Sequence, residues 1–337
     1  MKAVGYYQCL PIDQKDALVD LDLPVPKAKG HDVLVAIKAI AVNPIDTKMR
    51  LNIPPEEKTS RILGWDAAGT VVEVGSDVTF FQPGDEVWFA GDLTRPGSNC
   101  EYQLVDERIV AKKPKSLSFE EAAALPLTGL TAWELLFDRL KFSAEDKGTL
   151  LITGAAGGVG SILVQLARQL TKLTIIGTAS RPESAQWILD NGAHYVIDHS
   201  KEFGEQLNAL NHPEVDYVIS LTHTDDHVKA LVDVLKPQSK FALIDSPEHV
   251  DIKLFKLKSI SIHWEMVYTR SMYKTPDMIR QQEILTELAR LVDEGIIKTT
   301  SAGHVGLINA ENLIKAHAQI ESGLTRGKIV LSNFNQS

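Results

Sequence analysis

Residues 149–160 read TLLITGAAGGVG, and residues 161–170 continue SILVQLARQL. The opening residues are apolar or β-branched, the composition of a buried strand. The closing ten place apolar side chains at helical spacing. Between them a run of glycine and alanine frees the backbone where a strand must turn into a helix. The spacing GxGxxG falls on Ala155, Gly157 and Gly160, with alanine at the first position. At such a turn Gly157 lets the backbone approach a pyrophosphate, and Gly160 lets helix and strand pack closely. The unpaired N–H groups and the dipole of the helix start then hold the anion. Ala156, Gly157, Gly158, Val159 and Gly160 are therefore expected to bind a dinucleotide.

The residues downstream repeat this alternation. Strand-like LTIIGTA (173–179), YVID (195–198), DYVISL (216–221), KFALID (240–245) and SISIHW (259–264) are interleaved with helix-like ESAQWILDN (183–191), EFGEQLNAL (202–210) and DHVKALVDVL (226–235). Apolar strands separated by amphipathic helices make an α/β fold with a doubly wound parallel sheet. Upstream, to about residue 120, the texture is β. VLVAIKAIAVN (33–43), GTVVEVGSDV (69–78) and FQPGDEVWFA (81–90) are short strands set off by Gly and Pro turns, as in a small, partly closed barrel. EEAAALPLTGLTAWELLF (120–137) is helix-forming, with Pro126 and Gly129 expected to break it in two. The tail reads as a helix over 276–294, another near 310–321, and a strand GKIVL (327–331). That strand has no partner in the alternation and is expected to return to the first region.

An NAD site usually carries Asp or Glu at the end of the second strand, on the ribose hydroxyls. Here that strand ends Gly177-Thr178-Ala179-Ser180-Arg181, with no acid. Arg181 offers a guanidinium fork, and Ser180 a hydroxyl, to a 2′-phosphate. The sequence thus points to NADP(H). A local reading stands beside it: Ser180 caps the helix beginning at Pro182, and Arg181 lies in solvent.

The chain has 337 residues, 44% of them hydrophobic, enough for two domains and a sizeable core. Its formal net charge of -9 gives no general attraction for nucleic acid or anionic membrane. No run approaches the roughly 20 apolar residues of a membrane span, and the N-terminus lacks a signal-peptide pattern. A cytoplasmic protein acting on a small molecule is expected. The two cysteines, Cys9 and Cys100, are far apart, which fits a reducing compartment and leaves no four-cysteine zinc lobe.

AVNPIDTKMR (41–50), ILGWDAAGTVVEVG (62–75), FQPGDEVW (81–88), LPLTGLTAWELLF (125–137), LLITGAAGGVGSILVQLA (150–167), NGAHYVIDH (191–199), HWEMVYTRSMY (263–273) and GKIVL carry a likeness that spans essentially the whole chain. They resemble the medium-chain dehydrogenase/reductase superfamily in its quinone oxidoreductase branch, and more closely the zinc-type alcohol dehydrogenase-like proteins. The resemblance implies a GroES-like β-barrel catalytic domain over 1–122 and 270–337, a Rossmann domain over 123–269, and an active site in the cleft between them. It implies that Asn43 and Asp46 line the site near the nicotinamide, with Asn43 serving a substrate carbonyl or the nicotinamide ribose. An Asx-type turn ahead of Pro44 is the plainer role for Asn43. Trp65 stands at a former metal-ligand position, as an apolar pocket wall or else as an ordinary core tryptophan. Thr128 is implied near the cofactor, or else caps the following helix. His199 is implied at the adenosine end, and Leu243 to Ser246 beside the nicotinamide. Lys328 is implied to reach the cofactor from the first domain, or else sits on an edge strand. Trp264, Tyr268 or Tyr273 shapes the substrate pocket, with Tyr268 as a proton donor, or these aromatics fill core or a dimer interface. Related enzymes pair the sixth strand across a dimer, and SISIHW suits that role, so a homodimer is expected.

Zinc members carry Cys where this chain has Asn43 and His-Glu where it has Trp65-Asp66. They add a third Cys or an acid near LPLTG, which here offers neither. A catalytic zinc needs about three protein ligands. These positions give at most Asp66, so no metal is expected. His223 and His227 are four apart, but they straddle a strand end and a helix start, where Thr224 or Asp225 is a natural cap. Without a Lewis acid, alcohol oxidation loses its activation. Quinones and α,β-unsaturated carbonyls accept hydride readily from a well-held nicotinamide. The expected function is an NADPH-dependent, zinc-independent quinone or enone reductase. The alternatives are an enoyl or alkenal double-bond reductase, a zinc-type alcohol dehydrogenase, and a non-catalytic NADPH-binding protein.

Overall fold

The structure is a computed structural model and describes residues 1–334. Its internal contacts divide the chain into two compact units. One is Met1–Leu130 together with the segment from Tyr268 onward, and the other is Thr131–Val267.

The first unit opens with β1 (Lys2–Tyr6), β2 (Val19–Asp22), β3 (Asp32–Val42), α1 (Pro44–Asn52), β4 (Arg61–Ile62), β5 (Ala67–Val74), β6 (Glu86–Phe89), β7 (Tyr102–Asp106) and β8 (Val110–Lys112). β3, eleven residues long, is its spine. One edge of β3 pairs antiparallel with β5, and residues 32–36 of the other edge pair with β7. A strand that changes partner along one edge curls its sheet toward a barrel. A smaller sheet, β2-β1-β4, lies apart from this path. Pro44 opens α1, where its missing N–H costs nothing, so the NPID segment is a helix start rather than a free Asx turn.

α2 (Phe119–Ala123) and α3 (Pro126–Trp133) follow, with a π-helical turn at Glu134–Arg139. Pro126 separates two helices as expected, but Gly129 does not break the second. A Cβ there would meet Leu288 Cδ1 at 2.7 Å, so the glycine serves close packing. α2 packs on β3 and β5. This draws the segment after residue 122 into the first unit, and the division between units falls inside α3.

The second unit is β9 (Thr149–Thr153), α4 (Gly158–Leu170), β10 (Thr174–Thr178), α5 (Pro182–Asp190), β11 (Tyr195–Ile197), α6 (Phe203–Ala209), β12 (Val215–Ser220), α7 (Thr224–Val234), β13 (Leu235–Leu243), α8 (Lys253–Lys256) and β14 (Ser261–Trp264). The strands form one parallel sheet in the order β11-β10-β9-β12-β13-β14. β9 is buried along its whole length, as a central strand covered on both faces must be. Leu151, Ile176, Val218, Phe241 and Leu243 share one core with Leu231 and Phe255.

The tail adds α9 (Thr269–Met272), α10 (Arg280–Asp293), β15 (Ser301–Gly306), α11 (Ala310–Glu321) and β16 (Lys328–Ser332) to the first unit. β16 is the returning strand. It pairs antiparallel with residues 39–42 of β3 and parallel with β15, so it is not an edge.

Candidate active site

The loop after β9 is built as its sequence requires. The N–H of Gly157 donates to the carbonyl of Gly154 at 3.1 Å and closes the turn. Gly157 is the N-cap of α4, and Gly158, Val159 and Gly160 are its first three residues. Their N–H groups have no intrahelical acceptor, and Ala156 to Val159 are partly exposed. A Cβ on Gly160 would lie 2.5 Å from Cα and O of Ala155 and from O of Gly154, so only glycine permits this contact. A Cβ on Gly157 would lie 3.4 Å from the Gly154 carbonyl, an ordinary separation. The fold does not demand glycine at 157, and its bareness faces outward. Free N–H groups at a helix start with a bare backbone suit a pyrophosphate.

β10 ends in Thr178, whose buried hydroxyl has no hydrogen-bond partner among the described residues. The next helix takes Arg181, not Ser180, as its N-cap, and no side chain caps it. The local role expected of Ser180 is therefore not made: α5 begins at Pro182 as expected, which puts Arg181 rather than Ser180 at the N-cap position. Ser180 is exposed. The Arg181 guanidinium lies 3.8 Å from Glu183 Oε1, and both side chains reach solvent. Such a pair is weak and easily rearranged. His199 follows β11, with its ring centroid 5.9 Å from that of His227. Burial, then the charge of His199, holds His227 below the usual histidine range. His223 instead bonds Thr222 Oγ1 at 2.8 Å. It is the N-cap residue of α7 but makes no side-chain cap, and Thr224 is the first helical residue.

The first unit holds a buried polar network. Asn43, Asp46, Asp66 and Lys328 are each at most 3% exposed. Lys328 Nζ donates to the Val42 carbonyl at 2.9 Å and to Asn43 Oδ1, and lies 3.0 Å from Asp66 Oδ2. Asn43 Nδ2 donates to the same Asp66 oxygen at 3.2 Å, and the Leu127 N–H donates to Asp66 Oδ1 at 3.1 Å. Asp46 accepts the N–H of Asn43 at 2.6 Å and of Gly64 at 3.1 Å. Gly64 has φ of +106°, and a Cβ there would strike Asn99 Oδ1 at 2.4 Å, which fixes glycine at that donor. Two carboxylates share one ammonium. Burial pushes Asp46 up to about 7, against the pull of the Asn43 N–H and Lys328. Burial likewise raises Asp66. All three hydrogens of the Lys328 ammonium have acceptors in the network, so reaching a cofactor would require giving one up.

Tyr268 is also buried, and its hydroxyl has no partner among the described residues. Burial, then the charges of Asp46, Asp66 and Asp92, holds it well above the usual tyrosine range, so it stays a phenol. Trp65 is buried and donates its indole N–H to the Asp92 carbonyl at 3.1 Å. Thr128 turns its hydroxyl back to the carbonyls of Ala124 and Leu125, at 3.4 and 3.3 Å. The Leu243 side chain belongs to the sheet core, which leaves only its backbone toward the sheet edge. Trp264 and Tyr273 are exposed, at 56% and 75%. A pocket of about 280 Å³ in the first unit is lined by Asp92, Arg95, Gln103 and Met278 among others. Arg95 there is held bidentately by Asp32 at 2.8 and 2.9 Å.

Sequence reasoning did not find the Gly64 and Leu127 N–H donors, which no side-chain pattern announces. It also passed over Thr153 and Ser220 at the ends of strands, and it named Asp245 only as part of the segment from Leu243 to Ser246. The signal was present: LLIT, YVIS and ALID each close an apolar run with a hydroxyl or acid.

Residues 29–115 match the family model of the alcohol dehydrogenase GroES-like domain, and residues 191–331 that of zinc-binding dehydrogenase. A zinc-type alcohol dehydrogenase-like protein of Staphylococcus epidermidis is 38% identical over 98% of this chain and 99% of its own. A 2-methylene-furan-3-one reductase of Solanum lycopersicum is 39% identical over 61% of this chain and 54% of its own. Among solved structures, a candidate zinc-dependent alcohol dehydrogenase of Rhizobium etli superposes with TM-score 0.95 at 51% identity, covering 100% of this chain and 99% of that one. The Escherichia coli quinone oxidoreductase, solved with NADPH, superposes with TM-score 0.83 at 25% identity, covering 98% and 100%.

The zinc of these names does not fit the residues present. Trp65 cannot ligate a metal, Asn43 and Asp66 are taken up by Lys328, and Cys100 is a buried thiol pushed up to about 12 by burial. Among the described residues no three His, Cys, Asp or Glu side chains converge as a metal site. No helix among the described residues is long and apolar enough to cross a membrane. With its GroES-like barrel, glycine-loop parallel sheet and whole-length relatives, the chain belongs to the medium-chain dehydrogenase/reductase superfamily, as a nicotinamide-dependent oxidoreductase among the zinc-type alcohol dehydrogenase-like proteins.

Proposed function

We propose that the protein is an NADPH-dependent, zinc-independent reductase that delivers hydride to a quinone or an α,β-unsaturated carbonyl. One observation carries this reading: the Asp66 carboxylate is already matched by Lys328, Asn43 and the Leu127 N–H. The donor set makes no Lewis acid, so the acceptor must carry its own activation, as conjugated carbonyls and quinones do. Relatives named for the reduction of a methylene-furanone and of quinones support the same class. Arg181, with no acid at the end of β10, favours NADPH over NADH.

A bound dihydronicotinamide supplies the hydride. The protein's part is to hold the pyrophosphate on the start of α4, exclude water, and deliver the balancing proton. Tyr268 suits that last step, because it is a neutral phenol with an unspent O–H. In an enone the hydride goes to the β-carbon, and the Tyr268 proton goes to the enolate so formed. Solvent then restores the phenol. We extend the proposal to a homodimer joined through β14, an edge strand of the parallel sheet.

The test is NADPH consumption with a simple quinone and a simple enone, in the presence of a chelator, by wild type and Tyr268→Phe. Turnover should survive the chelator. Tyr268→Phe should lower kcat on the enone about a hundredfold or more, in the range of one acid–base group, with NADPH affinity unchanged. A protein that binds NADPH but turns over neither acceptor would leave only a binding role.

A further inference from the structure

The carboxyl end of the parallel sheet carries a chain of hydroxyls that neither the glycine loop nor the barrel network uses. Thr153 ends β9, Ser220 ends β12, Thr224 opens α7, and Asp245 lies just past β13. Thr153, Ser220 and Thr224 are buried, whereas Asp245 is partly exposed. Thr153 Oγ1 lies 3.2 Å from Ser220 Oγ, and Ser220 Oγ lies 2.7 Å from Thr224 Oγ1. Thr224 gives its hydroxyl to Asp245 Oδ1 at 2.6 Å and its N–H to Oδ2 at 2.9 Å. At the far end the Leu221 N–H donates to Thr153 Oγ1 at 3.3 Å.

An ionised carboxylate only accepts. The Thr224 hydroxyl therefore donates to Asp245, that of Ser220 to Thr224, and that of Thr153 to Ser220. Each proton has one place. The chain is not a relay; it fixes where the Asp245 side chain sits at the carboxyl end of the sheet, with lone pairs to spare. The backbone is bent to achieve this, since His223 adopts a left-handed conformation, φ 53°, just before Thr224.

The strand order reverses between β9 and β12. In such sheets a dinucleotide lies across the carboxyl ends at that point, with its adenosine half toward the second strand. The nicotinamide half then falls on the side of β12 and β13. We propose that Asp245 sets the redox-state preference of the cofactor site: its negative charge favours the oxidised nicotinamide, which is cationic, over the neutral reduced ring. Thr153, Ser220 and Thr224 are positioning residues for that charge. The inference rests on nicotinamide binding, though not on the choice of acceptor.

Titration of the full chain with NADPH, NADP+ and 2′,5′-ADP tests it, using wild type, Asp245→Asn, Asp245→Glu and Thr224→Val. Asp245→Asn should weaken NADP+ at least threefold relative to NADPH and leave 2′,5′-ADP, which lacks the nicotinamide, unchanged. Asp245→Glu should restore the ratio. Thr224→Val should shift it in the same direction as Asp245→Asn, and it carries the test should Asp245→Asn not fold. An unchanged ratio overturns the inference. So does equal weakening of all three ligands, which makes Asp245 structural only. A wild type that binds none of the three takes down the cofactor reading itself, a different failure.

Discussion

Lys328 is the one cation in a buried cluster with two carboxylates, and its loss strands both. Removing one partner of a buried ion pair typically costs about 3–5 kcal/mol, because the remaining charge has lost its compensation. Lys328→Met should therefore lower the urea midpoint steeply. Adding Asp66→Asn should recover much of the loss, since it removes the stranded charge. If the double variant is no better than the single, Lys328 acts through packing alone. Arg181 is the opposite case, a surface cation on a loose tether to Glu183. Its removal should leave stability within about 0.5 kcal/mol. In fluorescence titrations it should erase a preference for NADPH over NADH of about 1.4 kcal/mol or more, tenfold in affinity. Equal affinities in the wild type would mean that the end of β10 does not read the 2′-phosphate.

At the scale of elements, the turn from β9 to α4 separates folding from binding within one loop. Gly160→Ala would drive a Cβ into backbone atoms at 2.5 Å, so the helix must shift and stability should fall by about 3 kcal/mol or more. Gly157→Ala meets nothing closer than 3.4 Å and has an extended backbone that alanine adopts. It should melt near the wild type and yet weaken NADPH about tenfold, because its methyl stands where a pyrophosphate would approach. Thermal melts and titrations on the pair decide this, and matched losses of stability in both variants would refute it. This loop was legible in the sequence because its meaning is local: strand, glycine spacing and helix lie within about twenty residues. The alternation downstream was legible for the same reason, as was the return of GKIVL as a strand. Gly129 misled because its reason lies in Leu288, far along the chain. The Asp66–Lys328 pair was illegible as a pair. Only the antiparallel register of β16 on β3, with Ile329 opposite Val42, brings that lysine to Asn43 and Asp66. The family resemblance named most of the candidate site residues, and long-range strand pairing decided what Asn43, Asp66 and Lys328 touch.

At the scale of the whole molecule, the parallel sheet ends in β11 on one side and β14 on the other. β14 pairs with β13 on one side only, among the described residues. Ser261 is exposed, and Trp264 at the other end is 56% exposed. An unprotected edge with an exposed tryptophan is a template for strand pairing, and natural proteins cover or charge such edges. β14 carries no lysine or proline to blunt it. Two copies joined by antiparallel pairing of this strand would bury both edges under one two-fold axis, the commonest symmetry of oligomers. Light scattering on the wild type should then give roughly twice the 37.1 kDa of one chain at micromolar concentration. Ser261→Lys with Trp264→Lys places charges on side chains already in solvent, so the fold should persist while the edge repels its copy. The double variant should run as a monomer with unchanged NADPH affinity. A wild type that scatters as a single chain would remove the dimer. A double variant that stays dimeric would move the interface away from β14.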